Sequence, residues 1–146
     1  MIEVKFVVPG KPVGKGRPRF AKRGNYVQTY SPDATVVYEN WVRECWTDGG
    51  FPKLTGPVTA KIAAFFPIPK SGSKKKKAEM NEGKIPFTGK PDTDNLAKSV
   101  LDSLNGMAFD DDSQVTLLVV SKGYSDDPRC EVRLYGEEVK HEESES

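Results

Sequence analysis

Lys90-Pro91-Asp92-Thr93-Asp94-Asn95-Leu96-Ala97-Lys98-Ser99-Val100-Leu101-Asp102-Ser103-Leu104-Asn105-Gly106 is the stretch from which the rest of the chain is read. From Asp94 to Asn105 the pattern is helical. Leu96, Ala97, Val100, Leu101 and Leu104 fall on one face, and Asn105-Gly106 is a helix-ending pair. On the opposite side Asp94, Lys98 and Asp102 are each four apart and share a stripe. Asp92 lies in the turn before the helix. Three more acids, Asp110-Asp111-Asp112, follow it and lead straight into Ser113-Gln114-Val115.

Strands lie on either side of this helix. Val58, Ala60, Ile62, Ala64 and Phe66 alternate on one face of an upstream strand, with Phe65 on the other and Pro67 and Pro69 ending it. Downstream, Val115 to Lys122 reads as a strand with Val115, Leu117 and Val119 on one side. Cys130 to Tyr135 reads as another, with Val132 and Leu134 inward. The N-terminus alternates Ile2, Val4, Phe6 and Val8, and Pro9-Gly10 ends that strand. Lys22-Arg23-Gly24-Asn25 is a hairpin turn. Ser31-Pro32-Asp33 starts a helix with a Ser cap and Pro in the first turn. Its stripe of Ala34, Val37, Trp41 and Cys45, with Tyr38 and Val42 beside it, is read as core, and Asp48-Gly49-Gly50 stops it. Ile85-Pro86-Phe87 is a short extended piece.

The chain has 146 residues, which is one domain with room for a core, assigned to 1–136; the acidic residues 137–146 form a frayed tail. No apolar run reaches the roughly 18 residues that span a bilayer, and Met1 to Lys5 alternate like a strand rather than a signal peptide. The expected location is the cytoplasm. Cys45 and Cys130 stand alone and His141 is the only histidine, so the chain lacks the ligands of a zinc site.

The net charge of +1 conceals an asymmetry: residues 1–30 hold seven Lys/Arg and one acid, residues 61–90 eight lysines and two acids, and residues 91–146 fourteen acids and five bases. The loop Lys11-Pro12-Val13-Gly14-Lys15-Gly16-Arg17-Pro18-Arg19-Phe20 offers Lys15, Arg17 and Arg19 as phosphate contacts, although a plain surface loop has the same composition. It lacks the ending of a Walker loop. Lys74-Lys75-Lys76-Lys77, after Ser71-Gly72-Ser73, is a capped short helix or a loop; either way it makes a broad cationic surface for nucleic acid.

Two accounts fit the acids. In one, Asp94 or Thr93 caps the helix, Asp92 favours its dipole, and Asp94–Lys98 is an ordinary ion pair. In the other, residues 106–112 double back along the helix, about 18 Å at 1.5 Å per residue, and bring the two acid groups into one pocket of the chain. Carboxylates without His or Cys suit Mg²⁺, or Mn²⁺ in its place. Such an ion acts on a phosphodiester, with Lys98 beside it to meet developing charge. An EF-hand is excluded, because the Glu of its twelfth position is missing.

Lys-Pro-Asp-x-Asp-Asn-Leu-x-Lys, then Leu-Asp-x-Leu-Asn-Gly, then Asp-Asp-Ser-Gln-Val resembles the RusA-type Holliday junction resolvases, endodeoxyribonucleases common in phages and prophages. The resemblance is strongest over 90–115 and extends loosely over most of 1–136. It implies an α+β fold, a mixed β-sheet with helices packed on one face, and a Mg²⁺-dependent homodimer acting on four-way DNA junctions. By position it implies Asp92, Asp94 and Asp112 as metal-binding catalytic acids, Asp111 as the acid beside the third ligand, Lys98 as the catalytic lysine and Lys90 as a DNA contact. Asp110 is additional and leaves the choice among Asp110, Asp111 and Asp112 open. A two-fold dimer would present two sites to a two-fold substrate. Two alternatives share these residues: a nucleic-acid-binding protein without catalysis, and a branched-DNA or flap nuclease of broader range.

Overall fold

The structure is a computed structural model that describes residues 1–16, 19–24, 26–30 and 33–139. In chain order it contains β1 (Ile2–Pro9), β2 (Arg19–Arg23), β3 (Tyr26–Tyr30), α1 (Asp33–Gly49), β4 (Leu54–Pro67), α2 (Lys74–Asn81), α3 (Thr93–Leu104), a 3₁₀ turn (Asp112–Gln114), β5 (Val115–Ser125) and β6 (Arg129–Glu138). Four strands make one sheet in the order β1-β6-β4-β5, and β2 and β3 form a separate antiparallel hairpin. The β4–β5 pair is parallel while β6 runs antiparallel to both β1 and β4, so the sheet is mixed and the fold α+β.

Strict alternation buries one face of this sheet. Val4, Phe6 and Val8 of β1, Val58 to Phe66 at every second position of β4, and Cys130, Val132 and Leu134 of β6 form the core beneath the helices. The apolar face of α3 is buried as its periodicity predicts, from Leu96 through Leu104. Asn105 ends α3, and Gly106 takes a φ of 80°, a backbone state that a side chain disfavours. Burial also pushes the Cys130 thiol up to about 12 and raises the Tyr38 hydroxyl further, so neither ionises in the working range.

Three expectations need correction. The core face of α1 is not the Ala34/Val37/Trp41/Cys45 stripe. Thr35, Tyr38, Glu39, Val42 and Trp46 are buried instead, while Val37 is 67% and Trp41 36% exposed. The helix is rotated because Trp46 packs edge-on against Phe6, with Phe51 also on it, and because Glu39 turns inward to an ion pair. On β5 a bulge moves the register, so that Val58 pairs with Val115 but Thr59 with Leu117. Val115 and Leu117 therefore lie on opposite faces, and Val120 rather than Val119 packs on the core. β6 also continues two residues past 136: Glu137 pairs with Thr55 and Glu138 with Leu54. Ile85-Pro86-Phe87, expected as an extended piece, is an irregular segment without strand, in which Phe87 stacks on Phe66 at 4.1 Å. The Ser31-Pro32 cap, Asn25 of the hairpin turn and the tail from 140 lie outside the described residues.

The rotation of α1 is measurable. Val42→Ala should cost about 2 kcal/mol in urea unfolding, through lost burial and the cavity left behind, whereas Val37→Ala should change stability by less than about 0.5 kcal/mol. The reverse ranking would restore the stripe read from the sequence.

Candidate active site

The parallel β4–β5 pair decides where the acids go. A parallel connection needs a crossover, and here α2 and α3 supply it. A crossover helix runs back against its strands, so the N-terminus of α3 lies at the far end of β5 and its C-terminus beside the start of β5. Side-chain contacts fix this direction. Lys122 Nζ, deep in β5, donates to Pro91 O at 3.1 Å and Gly89 O at 2.8 Å just before α3. A cavity lined by Thr93, Asp94, Ala97, Leu118 and Val120 marks the same end. At the other end Leu104 O accepts from the amides of Met107 and Ala108, Leu54 N donates to Ala108 O, and Gln114 Nε2 donates to Gly56 O.

The two acid groups of one chain are thus at opposite ends of β5. The strand from Val115 to Leu118, beside which Asp94 stands, spans about 10 Å, and Asp112 lies a further three residues back along the chain. The expectation that residues 106–112 double back into a single-chain pocket is not met. They close a tight turn at the end of α3, where Gly106 N donates to Phe109 O, and enter β5 at once. Among the described residues no three Asp, Glu, His or Cys side chains stand close enough to hold one ion.

Each carboxylate has a distinct situation. Asp92 occupies the N-cap position of α3 with extended backbone, φ −70° and ψ 158°, yet its side chain makes no capping hydrogen bond. Its oxygens and those of exposed Asp94 are free to meet a cation, which weakens the purely structural account of this turn. Asp111 does cap: Oδ2 accepts from Ser113 N at 3.1 Å, and Gln114 returns the favour by accepting from the amides of Asp110 and Asp111. That hydrogen bond from Ser113 lowers the Asp111 carboxyl below its usual range. Asp110 is paired with Lys53. Asp112 is the one of the three whose carboxylate has no partner among the described residues, and its hard oxygens fit a divalent cation as those of Asp92 and Asp94 do. Lys98 is exposed on α3, one turn beyond Asp94, also without an acid partner among the described residues.

Lys15 departs from its expected role as a DNA contact. Its ammonium turns inward, 2.7 Å from Glu39 and 3.3 Å from Asp102, and bridges α1 to α3. Burial acts to lower its pKa, but the hydrogen bonds and charges of Glu39 and Asp102 outweigh it and the net shift is upward. The backbone around it is tied down as well: Lys15 N donates to Asn95 O and Gly16 N to Thr35 Oγ1. Gly14 lies so close to the Asp92 turn that an added Cβ would come within 2.5 Å of Pro91 Cβ. Of the remaining cations, Lys74, Lys75, Lys76 and Lys90 are exposed, while Lys77 reaches back to Lys70 O. Arg17 and the side chain of Arg19 lie outside the described residues.

Two residues that hold the site escaped the sequence reading. Lys122 clamps the carbonyls on both sides of Lys90, and Phe87 beneath it packs between Phe66 and Tyr124. Only an apolar strand interrupted by a lysine hinted at this.

Removing the ammonium of Lys15 leaves Glu39, almost fully buried, without a partner. Lys15→Met should destabilise the fold by on the order of 2–3 kcal/mol. Because the folded pKa of Lys15 is raised, its contribution is complete below the unfolded value of 10.5 and is lost as pH climbs through the folded value; the wild-type advantage over Lys15→Met should shrink only at that alkaline end, as read by urea unfolding against pH.

The comparisons with known proteins agree with this architecture. A family model described as "Endodeoxyribonuclease RusA" matches residues 9–135. The chain is also 41% identical over 135 residues to "Uncharacterized protein YqaN" of Bacillus subtilis (strain 168), covering 90% of this chain and 94% of that one. The basic N-terminal loop, the crossover with its two acid groups and most of the last strand fall inside the matched span, and the chain belongs to the RusA endodeoxyribonuclease family.

Proposed function

We propose that this chain is a Mg²⁺-dependent resolvase of four-way DNA junctions that works as a homodimer, each active site being completed by two subunits. The observation that carries the reading is the separation of the acids: Asp92 and Asp94 at one end of β5, Asp112 at the other, along a strand that is the free edge of the sheet. Leu117, Leu118 and Val119 are 54%, 41% and 46% exposed on that edge. An unpaired apolar edge strand is a template for another strand. Antiparallel pairing of β5 with β5 of a second copy about a dyad near Leu118 sets Lys122 of one chain opposite Gln114 of the other. Asp112 of the second copy then arrives at the end where Asp92 and Asp94 stand. The dyad repeats the arrangement, so one dimer has two such sites.

Asp92, Asp94 and Asp112 supply the carboxylate oxygens for the cation, with Asp111 shaping the turn beside Asp112. An ion held there, Mg²⁺ or Mn²⁺ in its place, would supply positive charge toward the phosphoryl oxygens and a water of lowered pKa as nucleophile. Lys98, one helical turn from Asp94, meets the negative charge that grows on the scissile phosphate. Lys90 and the exposed lysines of α2 hold flanking phosphates. Two sites related by a dyad match the paired, symmetric nicks that resolution of a junction in recombination and repair requires.

Mixed dimers test this directly. Asp94→Asn and Asp112→Asn subunits should each be inactive alone in Mg²⁺. In a mixed dimer, the intact Asp92/Asp94 of one subunit and the intact Asp112 of the other make one whole site, and nicking of one strand should return. If wild type resolves the junction but verified mixed dimers remain inactive, each site belongs to one chain. If wild type cleaves no junction in Mg²⁺ or Mn²⁺, the nuclease reading itself fails. Leu118→Glu should shift the protein toward monomer in sedimentation and abolish cleavage with it.

A further inference from the structure

The face of the sheet that carries no helix holds an arrangement the active site does not explain. Lys5 of β1 pairs with Arg133 of β6, and Arg133 pairs with Lys61 of β4. Alternation sends all three side chains to the open face, because their neighbours Val4, Phe6, Ile62, Val132 and Leu134 are the buried ones. Three cations therefore stand directly opposite one another on three adjacent strands, a row about 10 Å long at the usual strand spacing. Like charges in direct register destabilise a sheet. Among the described residues none of the three has a carboxylate within salt-bridge distance. Of the acids in the two neighbouring rows, Glu131 is occupied by Arg129 Nε at 2.9 Å, and Glu3, opposite Tyr135, forms no ion pair with the three among the described residues. Lys61 also lies 5.4 Å from the centre of the Tyr135 ring, and Arg129 stacks 4.2 Å from that of Phe65. Between them is a cavity of about 230 Å³, lined by Lys61, Val119, Ser121, Glu131 and Arg133 among others.

We infer that this face is a second DNA-binding surface, on the side of the sheet away from the acids, and that Lys5, Arg133 and Lys61 take phosphodiester oxygens of a junction arm. A bound phosphate backbone neutralises the row and removes the repulsion that the free protein carries, and the Tyr135 ring lies beside the Lys61 ammonium. The occupant is DNA rather than another anion because the chain belongs to a DNA endonuclease family, and the inference rests on that membership and not on the shared active site.

The test uses the full chain and a synthetic four-way junction labelled for fluorescence anisotropy, with affinity measured against salt concentration. The triple variant Lys5→Gln, Lys61→Gln, Arg133→Gln should lower the slope of log affinity against log salt by about 2 to 3, roughly one for each phosphate that is no longer neutralised. It should unfold at a higher temperature than wild type, since the repulsion is gone, and cut the bound junction at saturation at the wild-type rate. In wild type, acetylation of Lys5 and Lys61 read by mass spectrometry should fall when the junction is added. An unchanged salt slope, or equal acetylation with and without DNA while α2 lysines are protected, overturns the surface. Loss of the dimer in light scattering would make this face a subunit contact and equally overturn it. Wild type that binds with the expected slope change but cuts nothing defeats the active-site reading and leaves this one standing.

Discussion

A parallel pair of strands cannot be joined by a tight turn, and that constraint organises this molecule. The crossover from β4 to β5 carries α3 back along the sheet, so the residues just before α3 and those just after it are held a helix length apart. The acids happen to sit in those two places. The separation follows from the crossover and from the hydrogen-bonded register of β4 and β5 rather than from the choice of side-chain rotamers.

Around that frame the chain adds rigidity where the chemistry needs it. Lys122 ties the carbonyls flanking Lys90 to β5, Phe87 wedges the preceding segment against Phe66, and the Lys15 amide ties the N-terminal loop to Asn95 O in the first turn of α3 while its ammonium pairs with Glu39 and Asp102. The result is that Asp92 is presented from a backbone held on three sides while its carboxylate remains without a capping duty. At the other end Asp111 takes the cap and Asp110 takes Lys53, which leaves Asp112 apart from both. The division of labour among three consecutive aspartates is thus set by local hydrogen bonding.

Much of this is legible in the residues themselves. Period-two alternation locates β1, β4 and β6 and names their inward residues, and the 3.6 period of α3 names its buried face, because each of these elements has one wet and one dry side. The pattern fails where that condition fails. On α1 both Val37 and Val42 are apolar and only the partner surface decides between them; Glu39 is buried because Lys15, far away in sequence, neutralises it. On β5 the bulge at Thr116 is invisible in a run that is apolar on both faces, and its apolar residues reflect an edge rather than a core. The single-chain acid pocket fails for a different reason. Chain length permits residues 106–112 to double back, but strand order, which no local pattern encodes, forbids it. The roles of Asp92, Asp94, Asp112 and Lys98 come from the joined motifs and are compatible with the free carboxylates observed.

The free edge at Leu117–Val119 has a consequence for how such an enzyme is controlled. If half of every cutting centre is borrowed from a second molecule, the turnover of scarce protein rises with the square of its concentration. A newly made subunit drifting along a chromosome is then harmless, and dilution alone disarms what would otherwise be a hazard to intact genomes.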